Sequence, residues 1–399
     1  MVNEKMYALG SKRSSIREIF EYAKIRSAEI GAENVFDFSI GNPSVPAPEP
    51  VNATIARLVQ TMPSVELHGY TSAQGDKSVR EQIAANFTRR FGVPVSGDDL
   101  YMTCGAAASL TITFRALAAR QDDEFITFAP FFPEYRVFVE NAGAKLRVLP
   151  SAPQTLLPDF EALKAAISSK TRGVLINSPN NPSGVVYDEH TLQKLADILT
   201  EKSREWGEPI YLISDEPYRE LVYDSDTFVP CPMAYYEDTV VCYSYSKSLS
   251  LPGERVGYIA LNPKAAEAKR LYAAICGAGR SLGFVCAPAL FQRVAAACDG
   301  LTADLSVYKT NRDLLYRGLT ELGFTCVYPR GAFYLFLKTP EKDAATFCAN
   351  AKKYELLLVN GADFGCEGWV RIAYCVKTER IERALPLFAK LAKDYHLTK

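Results

Sequence analysis

Residues 172–215 read RGVLINSPNNPSGVVYDEHTLQKLADILTEKSREWGEPIYLISD, and their pattern predicts the fold class. Two short apolar runs, Arg172–Asn177 and Pro209–Ser214, predict buried strands. The segment between them, Asp188–Trp206, places leucine and isoleucine side chains on one stripe, which predicts an amphipathic helix. Because parallel strands are joined by a crossover helix in this order, the stretch predicts a parallel sheet.

The same alternation of strands and helices continues on both sides of this unit. We therefore expect an α/β fold whose large domain is a mostly parallel, doubly wound sheet with helices on both faces. Ligands of such sheets bind beyond the carboxyl ends of the strands. The further predicted elements are the strands Leu100–Thr103, Glu124–Phe128, Ala144–Leu149 and Thr239–Tyr243 and the helix Ala106–Ala119.

Both ends of the chain are expected to form a second, smaller α/β domain. We predict that residues 45–285 make the large domain, and that residues 1–44 and 286–399 together make the small one. The elements expected in the small domain are a helix at Ser15–Ile30, a short sheet pattern around Gly331–Leu337 and a last helix that Thr378 caps.

Composition excludes several classes of protein. The chain has 399 residues, of which 48% are apolar and 23% charged, a balance typical of globular proteins. With 45 Lys and Arg against 46 Asp and Glu, the net charge of −1 gives no general attraction to nucleic acid or to an anionic membrane. No run approaches the roughly 18 to 20 apolar residues that span a bilayer, and no signal peptide is recognisable. We therefore expect neither nucleic acid nor membrane as a partner.

Cysteine and histidine patterns argue against a metal site. The ten cysteines are scattered, and the closest pair, Cys366 and Cys375, does not form a C-x-x-C motif. The three histidines, His68, His190 and His396, stand in unrelated contexts, which also argues against a Ser-His-Asp triad. Scattered single cysteines are typical of reduced proteins, so we predict a cytoplasmic protein without a metal.

The strongest chemical signal is Ser244-Tyr245-Ser246-Lys247, which follows a predicted strand and precedes Arg255. Hydroxyl groups together with an arginine suit a phosphate group. A lysine held beside them can lose its proton and attack a carbonyl carbon as a neutral amine. On spacing alone, a solvated surface loop is the alternative interpretation.

Polar residues also follow two other predicted strands. Asp215 comes directly after the strand that ends at Ser214, and its carboxylate suits a cationic ring nitrogen, with the phenol of Tyr218 nearby. A helix cap or a loop ion pair is the alternative for Asp215. Asn181 lies in the segment Ser178–Gly184, for which an ordinary turn built from Pro, Asn and Gly is the alternative.

Two glycine-containing segments bear on the question of an anion site. Gly105-Ala106-Ala107 stands between a strand and a helix, where exposed helix amides favour a phosphate, although glycine is also common there for backbone reasons. The segment Gly277–Gly283 does not fit a dinucleotide loop, because its third glycine comes one residue late and no apolar strand precedes it.

In order and approximate spacing, these motifs resemble those of the class I and II aminotransferases, pyridoxal-phosphate enzymes of fold type I. The resemblance extends along nearly the whole chain. The matching segments are Gly41-Asn42-Pro43, Tyr70, Gly105-Ala106-Ala107, Pro130–Tyr135, Asn181–Gly184, Asp215–Tyr218, Ser244–Lys247, Arg255 and Arg371.

The resemblance implies pyridoxal 5′-phosphate as the cofactor, bound as an imine to Lys247. This lysine would then shuttle the proton between the substrate Cα and the cofactor C4′. Asp215 would keep the pyridinium nitrogen protonated, so that the ring acts as an electron sink. Asn181 and Tyr218 would hydrogen-bond the phenolate oxygen of the ring and lower the basicity of the imine, while Phe132 would stack on the ring face.

The resemblance also implies how the phosphate is held. Ser244, Arg255 and the backbone of Gly105-Ala106-Ala107 would bind it. Many relatives carry a hydroxyl side chain in this loop, which the two alanines lack. Phosphate binding there would therefore depend on backbone donors, with Ser109 as a substitute.

For the substrate, the resemblance implies that Arg371 clamps the α-carboxylate, helped by Asn181 and the backbone at Gly41. Tyr70 would reach the cofactor phosphate of a neighbouring subunit, which implies a homodimer with shared active sites. Arg280 stands roughly where a relative could bind a distal carboxylate, but a position on the surface or at the dimer interface suits it better.

The implied activity is transfer of an amino group from an L-amino acid to a 2-oxo acid by a ping-pong mechanism. A fold type I lyase, such as a carbon–sulfur β-lyase, is the nearer alternative, because the same cofactor residues serve elimination. A non-enzymatic regulator with an aminotransferase-like module is the more distant one, and it lacks support because the chain has no spare domain and no basic charge. The sequence leaves the amino-acid donor and the oxo-acid acceptor open.

Overall fold

The structure is a computed structural model that describes residues 1–11 and 15–397. No helix within these residues combines the length and the apolar character needed to cross a membrane. The helices are α1 Glu4–Ser11, α2 Ser15–Ile30, α3 Glu49–Thr61, α4 Ser64–His68, α5 Lys77–Phe91, α6 Ala106–Leu117, α7 Glu134–Asn141, α8 Phe160–Ala166, α9 Glu189–Trp206, α10 Tyr245–Ser248, α11 Ala268–Ser281, α12 Ala289–Ala297, α13 Ser306–Glu321, α14 Ala344–Lys352 and α15 Thr378–Asp394. The strands are β1 Phe36–Asp37, β2 Leu100–Thr103, β3 Glu124–Phe128, β4 Lys145–Leu149, β5 Thr171–Asn177, β6 Tyr211–Asp215, β7 Thr239–Ser244, β8 Gly257–Leu261, β9 Thr325–Val327, β10 Tyr334–Lys338, β11 Leu356–Leu357, β12 Val359–Asn360 and β13 Trp369–Ala373.

The large sheet of the described residues has seven strands in the order β2-β8-β7-β6-β5-β3-β4. Strands β7, β6, β5, β3 and β4 run parallel to one another. Strand β8, which the sequence pattern did not predict, is antiparallel to both of its neighbours, β2 and β7. The predicted α/β fold with a mostly parallel sheet is therefore confirmed.

Apolar side chains cover both faces of this sheet, because successive residues of a strand point to opposite sides. On one face Phe125 and Ile213 pack with α6, α7 and α11. On the other face Ile126 and Leu212 pack with α8 and α9. Each fully buried side chain of this kind contributes about 1.5–3 kcal/mol to stability. The predicted placement of helices on both faces is confirmed.

A second, antiparallel sheet in the C-terminal part has the order β12-β13-β10-β9. Strand β1 pairs in parallel with β11, which joins the N-terminal part of the chain to the C-terminal part. The domain boundaries expected after residues 44 and 285 stay predictions. Residues 12–14 and 398–399, which belong to the expected small domain, lie outside the described part of the chain.

The last helix, α15, begins at Thr378, but the prediction that this residue caps the helix is wrong. Lys377 holds the position before the first turn, and no side chain there makes a capping hydrogen bond. The Thr378 hydroxyl instead donates to Asn311 Oδ1 at 2.8 Å. Because Asn311 lies in α13, the hydroxyl links two helices rather than closing the end of one.

Candidate active site

The carboxyl ends of three neighbouring strands border a cavity of about 340 Å³. Asn177 ends β5, Asp215 ends β6 and Ser244 ends β7, and the parallel pairing of these strands brings the three ends side by side. The cavity is lined by Ile16, Ile40, Gly41, Ala106, Ala107, Leu110, Phe132, Tyr135, Phe138, Asn177, Asn181, Asp215, Pro217, Tyr218, Ser244, Ser246, Lys247, Pro252, Arg255, Tyr334 and Arg371.

Lys247 is presented by the short helix α10, which begins directly after Ser244. The Ser244 hydroxyl accepts a hydrogen bond from the backbone N–H of Ser246 at 3.2 Å and so fixes the start of this turn. Lys247 Nζ donates to the backbone oxygen of Gly41 at 2.6 Å. Burial, together with the positive charge of Arg255, lowers the pKa of Lys247 to about 8. A lysine with this pKa supplies a usable fraction of neutral, nucleophilic amine.

The carboxylate of Asp215 is fully enclosed. Its Oδ2 accepts a hydrogen bond from the Tyr135 hydroxyl at 2.5 Å, whereas its Oδ1 has no hydrogen-bond partner among the described residues. Asn177 Nδ2 donates to the Asp215 backbone oxygen at 2.9 Å and ties the ends of β5 and β6 together. Burial raises the pKa of Asp215 to about 7, and the neighbouring charge of Glu216 acts in the same direction. A cation placed at Oδ1 would favour the ionised carboxylate and so lower its pKa again.

Hydroxyl and guanidinium groups cluster at the side of the cavity next to β7. The hydroxyl oxygens of Ser244 and Ser246 are 2.8 Å apart. Arg255 Nη1 donates to Ser246 Oγ at 3.1 Å, and its Nη2 donates to the Cys104 backbone oxygen at 3.2 Å. Forked guanidinium donors beside two hydroxyl groups suit an anion with several oxygens.

Helix α6 starts beside this cluster. Gly105 holds the N-cap position with φ of 84°, and a Cβ there would lie 2.5 Å from Arg255 Nη2. Only glycine suits both the backbone conformation and the close approach. Ala106–Ala107 line the cavity, and the first amides of a helix lack partners within it. The hydroxyl of Ser109, which the sequence offered as a substitute phosphate ligand, is buried and pairs with the Thr103 hydroxyl at 2.8 Å, and Ser109 does not line the cavity.

Arg371 also lines the cavity, and the residue is only 2% exposed. Its Nη1 donates to Asn181 Oδ1 at 3.0 Å and its Nη2 donates to the Ser39 backbone oxygen. Its Cζ lies 4.7 Å from the centre of the Tyr334 ring and 4.9 Å from that of Phe364. Its Nε has no hydrogen-bond partner among the described residues. These contacts hold a planar cation in one orientation, as recognition of a carboxylate requires.

Aromatic side chains form a further part of the cavity lining. The hydroxyl groups of Tyr218 and Tyr334 are 2.8 Å apart. Burial raises the pKa of Tyr218 well above its usual value, so this phenol keeps its proton as a hydrogen-bond donor. Phe132 lines the cavity and contacts the ring of Tyr135 edge to face, with ring centres 5.6 Å apart.

Two residues singled out in the sequence lie elsewhere. Tyr70 is 90% exposed, and Arg280, in the last turn of α11, is exposed as well. Within the described part of the chain, neither residue lines the cavity of its own subunit.

The cavity also contains side chains for which sequence reasoning assigned no role: Tyr135, Asn177, Ser246 and Tyr334. The first three lie within or next to the quoted motifs, so their place in the sequence could have indicated that they line the site. Tyr334 belongs to the C-terminal sheet, and only the tertiary fold brings it to the strand ends.

Comparisons with known proteins agree with one another. The model of the family described as aminotransferase class I and II matches residues 33–386. The aspartate aminotransferase of Thermotoga maritima is 32% identical over 370 residues, which cover 91% of this chain and 93% of the relative. The probable aspartate/prephenate aminotransferase of Thermus aquaticus is 32% identical over 332 residues, covering 80% and 83%.

Solved structures resemble the whole chain. An amino transferase from Eubacterium rectale shares 56% identity and superposes with a TM-score of 0.97, covering 99% of both chains. The aspartate aminotransferase from Thermus thermophilus with maleate shares 26% identity and superposes with a TM-score of 0.85, covering 98% of this chain and 99% of that one.

Proposed function

The chain belongs to the class I and II aminotransferase family and is a pyridoxal-phosphate-dependent aminotransferase, and we propose that Lys247, Asp215 and Arg371 carry its active site. The observation that carries this proposal is the meeting of these three side chains in one cavity. Together they offer a neutral amine for a carbonyl, a carboxylate for a ring nitrogen and a forked cation for a carboxylate.

The buried carboxylate fits the cofactor. Asp215 Oδ1, which lacks a hydrogen-bond partner among the described residues, suits the N–H of a protonated pyridine ring. A charge-assisted hydrogen bond of this kind offsets the cost of burying the carboxylate. We infer that Asp215 holds the ring nitrogen and that Phe132 stacks against the ring face. When bound, the cofactor supplies an electron sink for the negative charge that develops at the substrate Cα.

The two ends of the cofactor have separate sets of donors. Ser244, Ser246 and Arg255 are proposed to bind its phosphate, together with the backbone of Gly105-Ala106-Ala107 at the start of α6. Ser246 is added to the set expected from the sequence, because its hydroxyl already accepts from Arg255.

At the ring oxygen, Tyr218 and Asn181 are proposed as hydrogen-bond partners. The phenol of Tyr218 stays protonated because burial raises its pKa well above the usual value. A hydrogen-bond donor at this oxygen stabilises negative charge on it. It thereby lowers the basicity of the nitrogen through which Lys247 would hold the cofactor.

Substrate binding is assigned to the two-nitrogen fork of Arg371. Its Nη1 and Nη2 are held by Asn181 and Ser39, so its remaining N–H groups can receive the α-carboxylate of an amino acid in a fixed orientation. The backbone at Gly41 completes this side of the cavity.

Lys247 is proposed to serve twice. It would hold the cofactor through Nζ, and as a free amine it would take the proton from the substrate Cα. Its lowered pKa of about 8 suits a base that works near neutral pH. With the cofactor bound, the donor's carbon skeleton would leave as a 2-oxo acid, with water supplying its carbonyl oxygen, and the amino group would stay on the enzyme until a second 2-oxo acid accepts it, which is a ping-pong reaction. The carbon–sulfur lyase alternative is not favoured, since the relatives bear aminotransferase names.

We also infer a homodimer with shared active sites. Tyr70 is 90% exposed in one subunit, together with Val65 at 88% and Val285 at 60%, as expected for side chains that a second subunit covers. A cytoplasmic location is proposed as well, supported by the fact that the ten cysteines are free thiols.

The proposal is tested by the absorption spectrum of the protein with pyridoxal phosphate, before and after a panel of L-amino acids that includes aspartate, alanine and phenylalanine. The band of the lysine-bound cofactor should convert to that of pyridoxamine phosphate with a good donor and return with a 2-oxo acid. Release of ammonia without that conversion would instead identify a lyase. A protein that forms no lysine-bound band would contradict the assignment of Lys247.

A further inference from the structure

Tyr334 is the one residue of β10 in the cavity lining of the described chain, and no role has been assigned to it so far. It is 2% exposed, its hydroxyl lies 2.8 Å from that of Tyr218, and its ring lies 4.7 Å from Arg371 Cζ. The same side chain thus touches the proposed ligand of the ring oxygen and the proposed clamp of the substrate carboxylate.

The Tyr334 hydroxyl also packs against a third residue, Gly41. A Cβ added to Gly41 would overlap it, so the hydroxyl packs directly against the glycine backbone. The carbonyl of that glycine accepts the hydrogen bond from Lys247 Nζ. Gly41 is therefore required at this position for a steric reason, and not for its backbone conformation, since its φ is not in the left-handed region.

The direction of the hydrogen bond between the two phenols follows from the role proposed for Tyr218. A tyrosine has a single O–H, and Tyr218 must point it towards the ring oxygen of the cofactor if it is to be a donor there. The hydrogen bond between the two hydroxyl oxygens, which are 2.8 Å apart, is then donated by Tyr334 to the oxygen of Tyr218. Donation to a hydroxyl oxygen strengthens the bond that this hydroxyl makes onward.

We propose that Tyr334 is a positioning residue, whose hydroxyl orients and polarises Tyr218 while its ring fixes the guanidinium plane of Arg371. This inference rests on the proposed function, since it assumes that Tyr218 meets the cofactor and Arg371 the substrate. The hydroxyl and the ring act on different partners, so two substitutions separate them.

Tyr334→Phe removes the hydroxyl and keeps the ring. We expect the pKa of the lysine-bound cofactor, measured by absorbance against pH without substrate, to rise by roughly half a unit, the size expected for one neutral hydrogen bond. KM for the amino acid should stay within about twofold of the wild type, because the ring still faces Arg371. Tyr334→Leu, which also removes the ring, should raise KM by on the order of tenfold.

A double variant isolates the path through Tyr218. In a Tyr218→Phe background, adding Tyr334→Phe should leave the absorbance pKa unchanged, because the hydroxyl on which it acts is gone. Tyr236→Phe is the matched control, since that buried hydroxyl donates to the Ile210 backbone oxygen at 2.9 Å and does not line the cavity. The control should have the wild-type absorbance pKa.

Three results would overturn the inference: an unchanged absorbance pKa in Tyr334→Phe, the same shift in the Tyr236→Phe control, or an equal shift with and without Tyr218. Failure of the proposed function is distinguishable, because the wild-type protein itself would then form no lysine-bound cofactor to titrate. Circular dichroism of each variant confirms that it is folded before the pKa is compared.

Discussion

Lys247 Nζ donates to the backbone oxygen of Gly41 at 2.6 Å. The bond joins the amine after β7 to the N-terminal segment between β1 and α3, so two distant parts of the chain meet at the proposed nucleophile. A carbonyl can accept from a neutral amine as well as from an ammonium group, so the contact can position Nζ in either protonation state. Burial is the largest influence on the pKa of Lys247 and lowers it.

The first prediction concerns the pH dependence of cofactor attachment. Only the neutral amine attacks a carbonyl, and burial lowers the pKa of Lys247 to about 8 from its usual 10.5. The rate at which the cofactor-free protein combines with pyridoxal phosphate should therefore rise with pH and reach half of its plateau near pH 8. Stopped-flow absorbance measures this rate, and a midpoint close to 10.5 would contradict the account.

A second prediction is that Asp215→Asn stabilises the cofactor-free protein in mild alkali. Burial raises the pKa of Asp215 to about 7 from 3.8, so the native state holds a proton that the unfolded state releases. The stability that this proton supplies is complete below pH 3.8 and is lost as the pH rises through 7. Asparagine does not titrate. Scanning calorimetry should give a higher Tm for the variant than for the wild type at about pH 8, and this Tm difference should shrink towards pH 5. A Tm difference that does not depend on pH would show that the titration of Asp215 is not its cause.

The same substitution should impair catalysis. An amide lacks the negative charge that keeps the ring nitrogen protonated, so we expect kcat of Asp215→Asn to fall by on the order of 10²–10³, the range for removing one preorganised electrostatic contact. Single-turnover conversion of the cofactor band with the best donor measures the step directly. An unchanged rate would mean that Asp215 does not face the ring nitrogen.

Arg371→Lys should weaken substrate binding while leaving the cofactor in place. Lysine keeps the positive charge but loses the planar fork and the bond to Asn181, so KM for both the amino acid and the 2-oxo acid should rise about 10- to 100-fold. The absorbance of the bound cofactor should stay that of the wild type. Arg280→Ala is the matched control, because this exposed arginine does not line the described cavity. A larger rise of KM in the control, for aspartate in particular, would move the carboxylate site to Arg280.

The shared active site can be tested by mixing two inactive proteins. If Tyr70 acts on the neighbouring subunit, a dimer of one Lys247→Ala chain and one Tyr70→Ala chain contains one complete site. Activity should then reappear when the two variants are unfolded and refolded together. No recovery, with mixed dimers verified by mass spectrometry, would show that Tyr70 serves its own subunit or no site at all.

The fold class followed from the sequence because local patterns specify it. The apolar runs of β5 and β6 and the stripe of α9 are consecutive in the chain, and their period alone identifies a parallel unit. Strand β8 escaped prediction because its short run, Gly257–Leu261, follows directly on the segment that carries Lys247 and Arg255, where polar groups conceal the strand pattern.

The candidate site likewise contains residues that the sequence predicts and one that it does not. Asn177, Asp215 and Ser244 end neighbouring strands, so the carboxyl-end rule brings them together from sequence alone. Tyr334 carries no local signal, because its importance arises from contacts with Tyr218 across the fold. The roles of these residues stay predictions until the variants above are measured.

The role of Lys247 is tested by identifying the amine that holds the cofactor. The wild-type protein is combined with pyridoxal phosphate, reduced with borohydride, digested and mapped by mass spectrometry. We expect a pyridoxyl group on Lys247 and none in the Lys247→Ala variant. A pyridoxyl group on another lysine, or equal labelling of the variant, would contradict it.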